Sequence, residues 1–416
     1  MYLESITKIV LENCLQVTIS PNTTARTLNI GLFINHGVKD EDSSINGISH
    51  FIEHLSFNYN NLYEDTRKKL GQLMDKGALY EAFTGKEMTR CTLSAQEQCL
   101  PEMIDTLCSI ITECNVNREV VEHERAIIMQ EADTYFSSGR VKEELVEQAL
   151  WGNRSLGLFV IGNRNNIASF TENQIQERFT KFYTPKNTHL IIQGNVETDQ
   201  VMDLIIKASK RFTNYLDYNR DVFVEIEPSI VGIGKSDRVD FTVSFVGASF
   251  HSRERHAMYL LSDILGNGLK SRLFTELREK RELAYTVFSY AQSYSLSGYI
   301  AINVNCQKNK MDEVYRCIIS ILEDIKANGV SEEELQRVKA ARVTNMLQLF
   351  GNTSKHLQIT GRYSLLHKDF FIDLELYEIR TVSCDDIKNL AKSMFIDDRM
   401  ALSALGASSD ELSILL

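Results

Sequence analysis

The chain repeats itself, and that repeat limits what it can fold into more than any single motif does. Residues 166–175 (NIASFTENQI) line up with residues 378–387 (EIRTVSCDDI), residue 167 falling on residue 379, a shift of 212. The shift continues without a gap and carries Phe182 onto Met394, Tyr183 onto Phe395 and Gly194 onto Gly406. Each copy opens with a helix-start signal, Thr171 with Gln174 three residues on and Ser383 with Asp386. In a chain of 416 residues, a shift of 212 means two tandem halves of nearly equal length. The expected domains are 1–212 and 231–416, joined by a polar, acidic linker at 213–230 that contains Pro228. Residues 26–36 and 238–246 alternate as the opening strands of the two halves, while 122–135 and 311–328 carry helical periodicity. The fold class that follows is α+β: two tandem homologous domains, each a mixed, mostly antiparallel sheet packed against helices.

Charge narrows the partners. With 45 basic against 56 acidic residues the net charge is -11, so the overall field repels nucleic acid and anionic lipid and favours cationic peptides. No apolar run approaches the ~18 residues of a membrane span. Glu4 stands where a cleaved signal would carry positive charge. The eight cysteines form no C-x-x-C pair and read as reduced thiols. A cytoplasmic protein is expected.

One constellation carries chemistry. After a strand, the chain reads Asn46-Gly47-Ile48-Ser49-His50-Phe51-Ile52-Glu53-His54-Leu55, an H-x-x-E-H motif with a helix start near Asn46 and Ser49. On a helix, His50 and His54 are four apart and Glu53 is three from His50, so all three leave from neighbouring faces. Two imidazoles at that spacing can hold one zinc ion, and a carboxylate beside them can take a proton from water that the metal has acidified. For a third ligand the segment 120–135 offers Glu124 and Glu131, seven apart and so on one helical face. Ile127, Ile128 and Met129 mark much of that helix as interior. A buried carboxylate is costly unless it meets a cation, which points Glu131 to the metal. His123 lies about 100 degrees round the helix from Glu124 and is expected to face elsewhere. Gly266-Asn267-Gly268 lacks the third glycine and the lysine of a phosphate loop. His256 has no E-H partner, so the second half reads as the non-catalytic copy.

At these residues the chain resembles the insulinase family of zinc peptidases, the inverzincins, in its short two-domain form. That family reads H-x-x-E-H followed after 76 residues by a glutamate, and 76 residues separate His54 from Glu131 here. The resemblance implies that His50, His54 and Glu131 bind one zinc per chain, that Glu53 is the general base, and that Glu124 supports the site. The family also has an N-A-aromatic-T strand that pairs with substrate backbone, and Glu81-Ala82-Phe83-Thr84 is similar to it. Glu81 replaces the usual Asn and cannot donate a hydrogen bond unless protonated; it either meets a cationic substrate side chain or points to solvent. Residues 271–285 resemble a segment whose arginine and tyrosine, seven apart, grip the substrate, which assigns Arg278 and Tyr285 that role. Family members assemble four such domains, so a two-domain chain implies a homodimer or a heterodimer with a homologous chain. The implied activity is a zinc metalloendopeptidase acting on short or unfolded peptides. The alternative is a catalytically silent homologue that partners an active peptidase.

Overall fold

A computed structural model describes residues 6–212 and 225–416, apart from 138 and 140. Most of the expected linker, residues 213–224, lies outside the described residues.

The first sheet comprises β1 (Thr7–Val10), β2 (Gln16–Pro21), β3 (Leu28–Ile34), β4 (Leu79–Thr84), β5 (Thr89–Ala95) and β6 (Thr188–Gly194), in the order β1-β2-β6-β3-β5-β4. The second comprises β7 (Ile230–Ile233), β8 (Arg238–Gly247), β9 (Ala284–Ser293), β10 (Gly298–Gln307) and β11 (Met400–Leu405), in the order β7-β11-β8-β10-β9. Without β1 the two orders are the same. In each, one parallel pair (β2 with β6, β7 with β11) is followed by antiparallel neighbours. The repeat read from the sequence is therefore a repeat of sheet topology. The helix Glu172–Phe182 moves by 212 onto Cys384–Met394, and both begin with the expected reciprocal caps at Thr171 and Ser383.

The strands expected to open each half correspond to β3 and β8, and neither comes first. Thr18 and Ser20 interrupt the apolar pattern of β2, yet both are buried, and the Thr18 hydroxyl meets His189 Nε2 at 2.9 Å. A strand covered on both faces gives no alternation to read.

The described chain divides into two compact units, and each takes a helix from the sequence of the other half. Unit one includes residues 348–370, and unit two includes 135–158. The helices concerned, Val141–Trp151 and Thr353–Leu365, are themselves equivalent at a shift of 212. In unit one, Thr353–Leu365 lies on the sheet: Leu357 packs with Phe33 and Ile191, and Gln193 bonds Thr360 at 3.1 Å. The contact is close because of Gly361, where a Cβ would come within 2.3 Å of the buried Phe33 ring. In unit two, Trp151 meets the Tyr294 and Tyr299 rings edge-on, each at 5.7 Å, and both hydroxyls reach the buried Glu147 carboxylate. Among the described residues no helix is long and apolar enough to cross a membrane.

Overpacking a filled contact costs about 1–3 kcal/mol. Gly361→Ala is therefore expected to lower the free energy of unfolding by that amount, read as a fall in the urea midpoint. Gly351→Ala, where a Cβ meets nothing within 4 Å, should leave it within error or slightly higher. Equal midpoints for the two variants would show that the helix does not depend on the Phe33 contact.

Candidate metal centre

The H-x-x-E-H residues lie on the helix Ile48–Phe57. A buried carboxylate holds its start: Glu41 Oε2 accepts from the Gly47 N–H at 2.8 Å and Asn46 Nδ2 at 2.9 Å, and Oε1 accepts from the Ser49 N–H at 2.8 Å. These bonds satisfy N–H groups that a helix start leaves open. Gly47 has φ +104, and a Cβ there would meet Gly162 Cα at 2.8 Å, so any larger residue would push the helix off its seat. The other end is tied to β4, because the Tyr80 hydroxyl donates to the Phe57 carbonyl at 2.8 Å.

On this helix the His50 and His54 rings meet edge-on at 4.7 Å. Glu131 reaches them from the helix Arg118–Ser137, its Oε2 3.9 Å from His50 Nε2 and 3.6 Å from His54 Nε2. Two imidazole nitrogens and one carboxylate oxygen form a donor set typical of catalytic zinc, whose tetrahedral bonds separate ligand atoms by roughly 3.3 Å. The residues fit the ion. The Glu131 side chain is 41% exposed, which leaves one side open to solvent.

The second carboxylate of that helix behaves differently. Glu124 has no exposed surface, and its Oε2 accepts from His54 Nδ1 at 2.8 Å. Oε1 takes the amides of Asn61 at 2.8 Å and Asn58 at 3.1 Å. Burial opposes its charge, but the bonds from His54 and Asn61 prevail and hold its pKa below the usual carboxylate range. The burial argument that pointed to Glu131 thus belongs to Glu124, whose charge meets imidazole and amide N–H groups. Ile127 is likewise half exposed. His123 is exposed, as its angle on the helix implies.

With the metal absent, burial and the neighbouring His54 lower the His50 pKa to about 4. Burial also disfavours charge on His54, but Glu124, Glu131 and Glu53 outweigh it and raise the pKa to about 9. Burial pushes Glu53 up, opposed by hydrogen bonds from the Thr84 side chain and backbone. The strand similar to N-A-aromatic-T is β4, the last strand of its sheet. Tyr80 and Thr84 turn toward the motif helix, with Ala82 between them, while Glu81 and Phe83 turn the other way. There Arg90 lies 4.3 Å over the Phe83 ring and donates to Glu81 Oε1 at 2.9 Å. Gln358 is 3.4 Å from Glu81 Oε2. Glu81 is thus engaged by its neighbour strand, which neither expectation for it included.

In unit two, Arg278 sits on a wide-wound helical turn, Phe274–Lys280, with its guanidinium over Phe274 at 5.0 Å and Tyr285 at 4.9 Å. Tyr285 is the second residue of the edge strand β9 and is 72% exposed.

The second half also assembles a histidine with two carboxylates, His256 with Glu375 and Glu378, which sequence reading missed. His256 has no E-H partner along the chain, as read from the sequence; its carboxylates are brought to it by the fold. The carboxylates lie more than a hundred residues downstream, where no helical spacing relates them to His256. Arg255 supplies the cation of this cluster, with Nη2 2.9 and 3.0 Å from the two Glu375 oxygens and 3.0 Å from His256 Nε2.

A model of the Insulinase family (Peptidase family M16) matches residues 16–164, and one of the Peptidase M16 inactive domain matches 169–342. The zinc protease YmxG of Bacillus subtilis is 24% identical, over 97% of this chain and 99% of its own. A probable mitochondrial-processing peptidase subunit beta of Arabidopsis thaliana is 21% identical, over 96% of this chain and 78% of its own. The solved structure of a protease from Helicobacter pylori superposes with a TM-score of 0.87 at 19% identity, over 98% of this chain and all of the other.

Metal analysis of purified protein is expected to find one zinc per chain, and Glu131→Gln should lose most of it on dialysis. Stoichiometric zinc retained undiminished by that variant would move the third ligand elsewhere.

Proposed function

Because the chain belongs to the insulinase family of peptidases, family M16, we propose that it is a zinc endopeptidase that cuts short or unfolded peptides. The observation that carries this reading is the convergence of His50, His54 and Glu131, with Glu53 on the same helix and held by the edge strand. His50 Nε2, His54 Nε2 and a Glu131 oxygen would hold the ion. Bound zinc supplies Lewis acidity, polarising the scissile carbonyl and lowering the pKa of water to about 7.

The chain's own groups do the rest. Glu53 takes the proton from the attacking water and returns it to the leaving amine, a general base and then a general acid. Burial raises its pKa above the usual carboxylate range, which makes it a stronger proton acceptor than an exposed carboxylate. Thr84 orients its carboxylate. The outer edge of β4 offers main-chain groups to an extended peptide, so backbone binds backbone and many side chains are tolerated. Arg278 and Tyr285 would grip the substrate from the second half of the partner chain, so each site would be shared between two chains. A relative named as a subunit supports assembly with a second two-domain chain, of the same or a homologous kind, around a closed chamber. A cytoplasmic location belongs to this proposal.

The match of residues 169–342 to an inactive domain favours a second reading, a silent partner of an active peptidase. Against it, His50, Glu53, His54 and Glu131 all lie outside that match and within the peptidase match.

Glu53→Gln is expected to keep zinc and fold while cleavage of a test peptide falls at least ~100-fold. Turnover near the parent rate in a contaminant-free preparation would remove Glu53 as the base. A second expectation concerns sharing. Glu53→Gln chains mixed with Tyr285→Phe chains should regain activity above either parent, because mixed dimers hold one undamaged site. No recovery despite proven subunit exchange would place the whole site in one chain.

A further inference from the structure

We infer that Asn58 and Asn61 are positioning residues of the metal centre, whose side-chain amides clamp one oxygen of Glu124 while its other oxygen holds His54. The inference rests on the reading of His54 as a metal ligand. Both asparagines follow directly after the motif helix. Asn58 caps its end, with the backbone N–H bonded to the His54 carbonyl at 3.2 Å, and Asn61 closes the short turn Tyr59–Asn61.

Their amide orientations are decided by what surrounds them. Asn61 is 4% exposed, and its side-chain nitrogen lies 2.8 Å from Glu124 Oε1 and 2.9 Å from the His54 carbonyl oxygen. Both neighbours only accept, so the NH2 group must face them. The Asn58 side-chain oxygen accepts from the Asn60 N–H at 3.2 Å, which turns its nitrogen to Glu124 Oε1 at 3.1 Å. Glu124 therefore meets N–H donors on both oxygens: His54 Nδ1 at Oε2, and two amides at Oε1.

This arrangement settles the His54 tautomer. In the neutral imidazole that a metal ligand must be, the buried acceptor Glu124 holds the proton on Nδ1 and leaves the Nε2 lone pair turned toward Glu131 and His50. Without the amides, Oε1 would be a buried charge short of donors, and the carboxylate would rotate to find others, which loosens the His54 Nδ1 bond. Asn61 also grips the backbone of His54 itself, so a single side chain fixes both the ligand's main chain and its hydrogen-bond partner.

The test is zinc affinity, measured by competition with a chromophoric chelator, with the melting midpoint of the metal-free protein as a control for folding. Loss of an outer partner of a metal ligand costs 10- to 100-fold in affinity. Asn61→Ala should raise the zinc Kd about tenfold or more, and Asn58→Ala, which removes one longer bond, should raise it less. Asn61→Asp keeps the shape but sets an acceptor against the buried carboxylate, and should be at least as damaging as Asn61→Ala. In a Glu124→Gln background, Asn61→Ala should cost clearly less affinity than in the parent, because only its bond to the His54 carbonyl is left to lose. Zinc affinity within twofold of the parent for both Asn61 variants overturns the inference, as does an equal loss in both backgrounds. Should Asn61→Ala not fold, Asn61→Asp and Asn58→Ala carry the same comparison. A parent protein that binds no zinc overturns the peptidase reading and this inference together, whereas a zinc-binding parent with unaffected variants overturns the inference alone.

Discussion

A carboxylate with no exposed surface is the constraint on which the centre depends. Removing the Glu124 charge from water is among the most expensive events in folding this chain, and it is tolerated only because N–H donors reach both oxygens. Those donors come from the motif helix and from the turn that follows it, while the carboxylate comes from a helix some seventy residues later. Satisfying one charge therefore locks two helices in register. The same register brings Glu131, two helical turns further along, to the two imidazole nitrogens.

The motif helix is secured at its other points by similar means. Glu41 closes its first turn, the paired glycines Gly47 and Gly162 let that turn lie against neighbouring backbone, and Tyr80 ties its last turn to β4. Because β4 also holds Glu53 through Thr84, the strand open to a peptide and the group that would act on it are positioned by one element. A carboxylate held this way keeps its orientation without help from a bound ligand.

Duplication put the same sheet to two uses. In the first half the edge strand stands beside His50, His54 and Glu131, a cluster with the donor set of a metal site. In the second, Arg255 is built in among His256, Glu375 and Glu378, so the charges of that cluster are met by the protein itself. The edge strand there carries near its start an exposed tyrosine beside a guanidinium stacked on two rings. Stacking orients Arg278 without neutralising it, and its in-plane N–H groups remain available to acceptors.

Much of this was legible in the sequence. The shift of 212, the caps at Thr171 and Ser383, and the side chains at i, i+3 and i+4 of the motif are properties of spacing along one chain, and a helix or strand turns spacing into direction by local geometry alone. What the sequence could not decide were the contacts between segments distant along it. Neither spacing nor composition distinguishes Glu124 as the buried carboxylate from Glu131 as the open one, pairs Glu81 with Arg90, exchanges the helices Val141–Trp151 and Thr353–Leu365 between units, or sets Arg255 among carboxylates more than a hundred residues away. Each of these follows from the path of the whole chain, because burial and pairing depend on which surfaces meet, and that is decided only when the sheets and helices have packed.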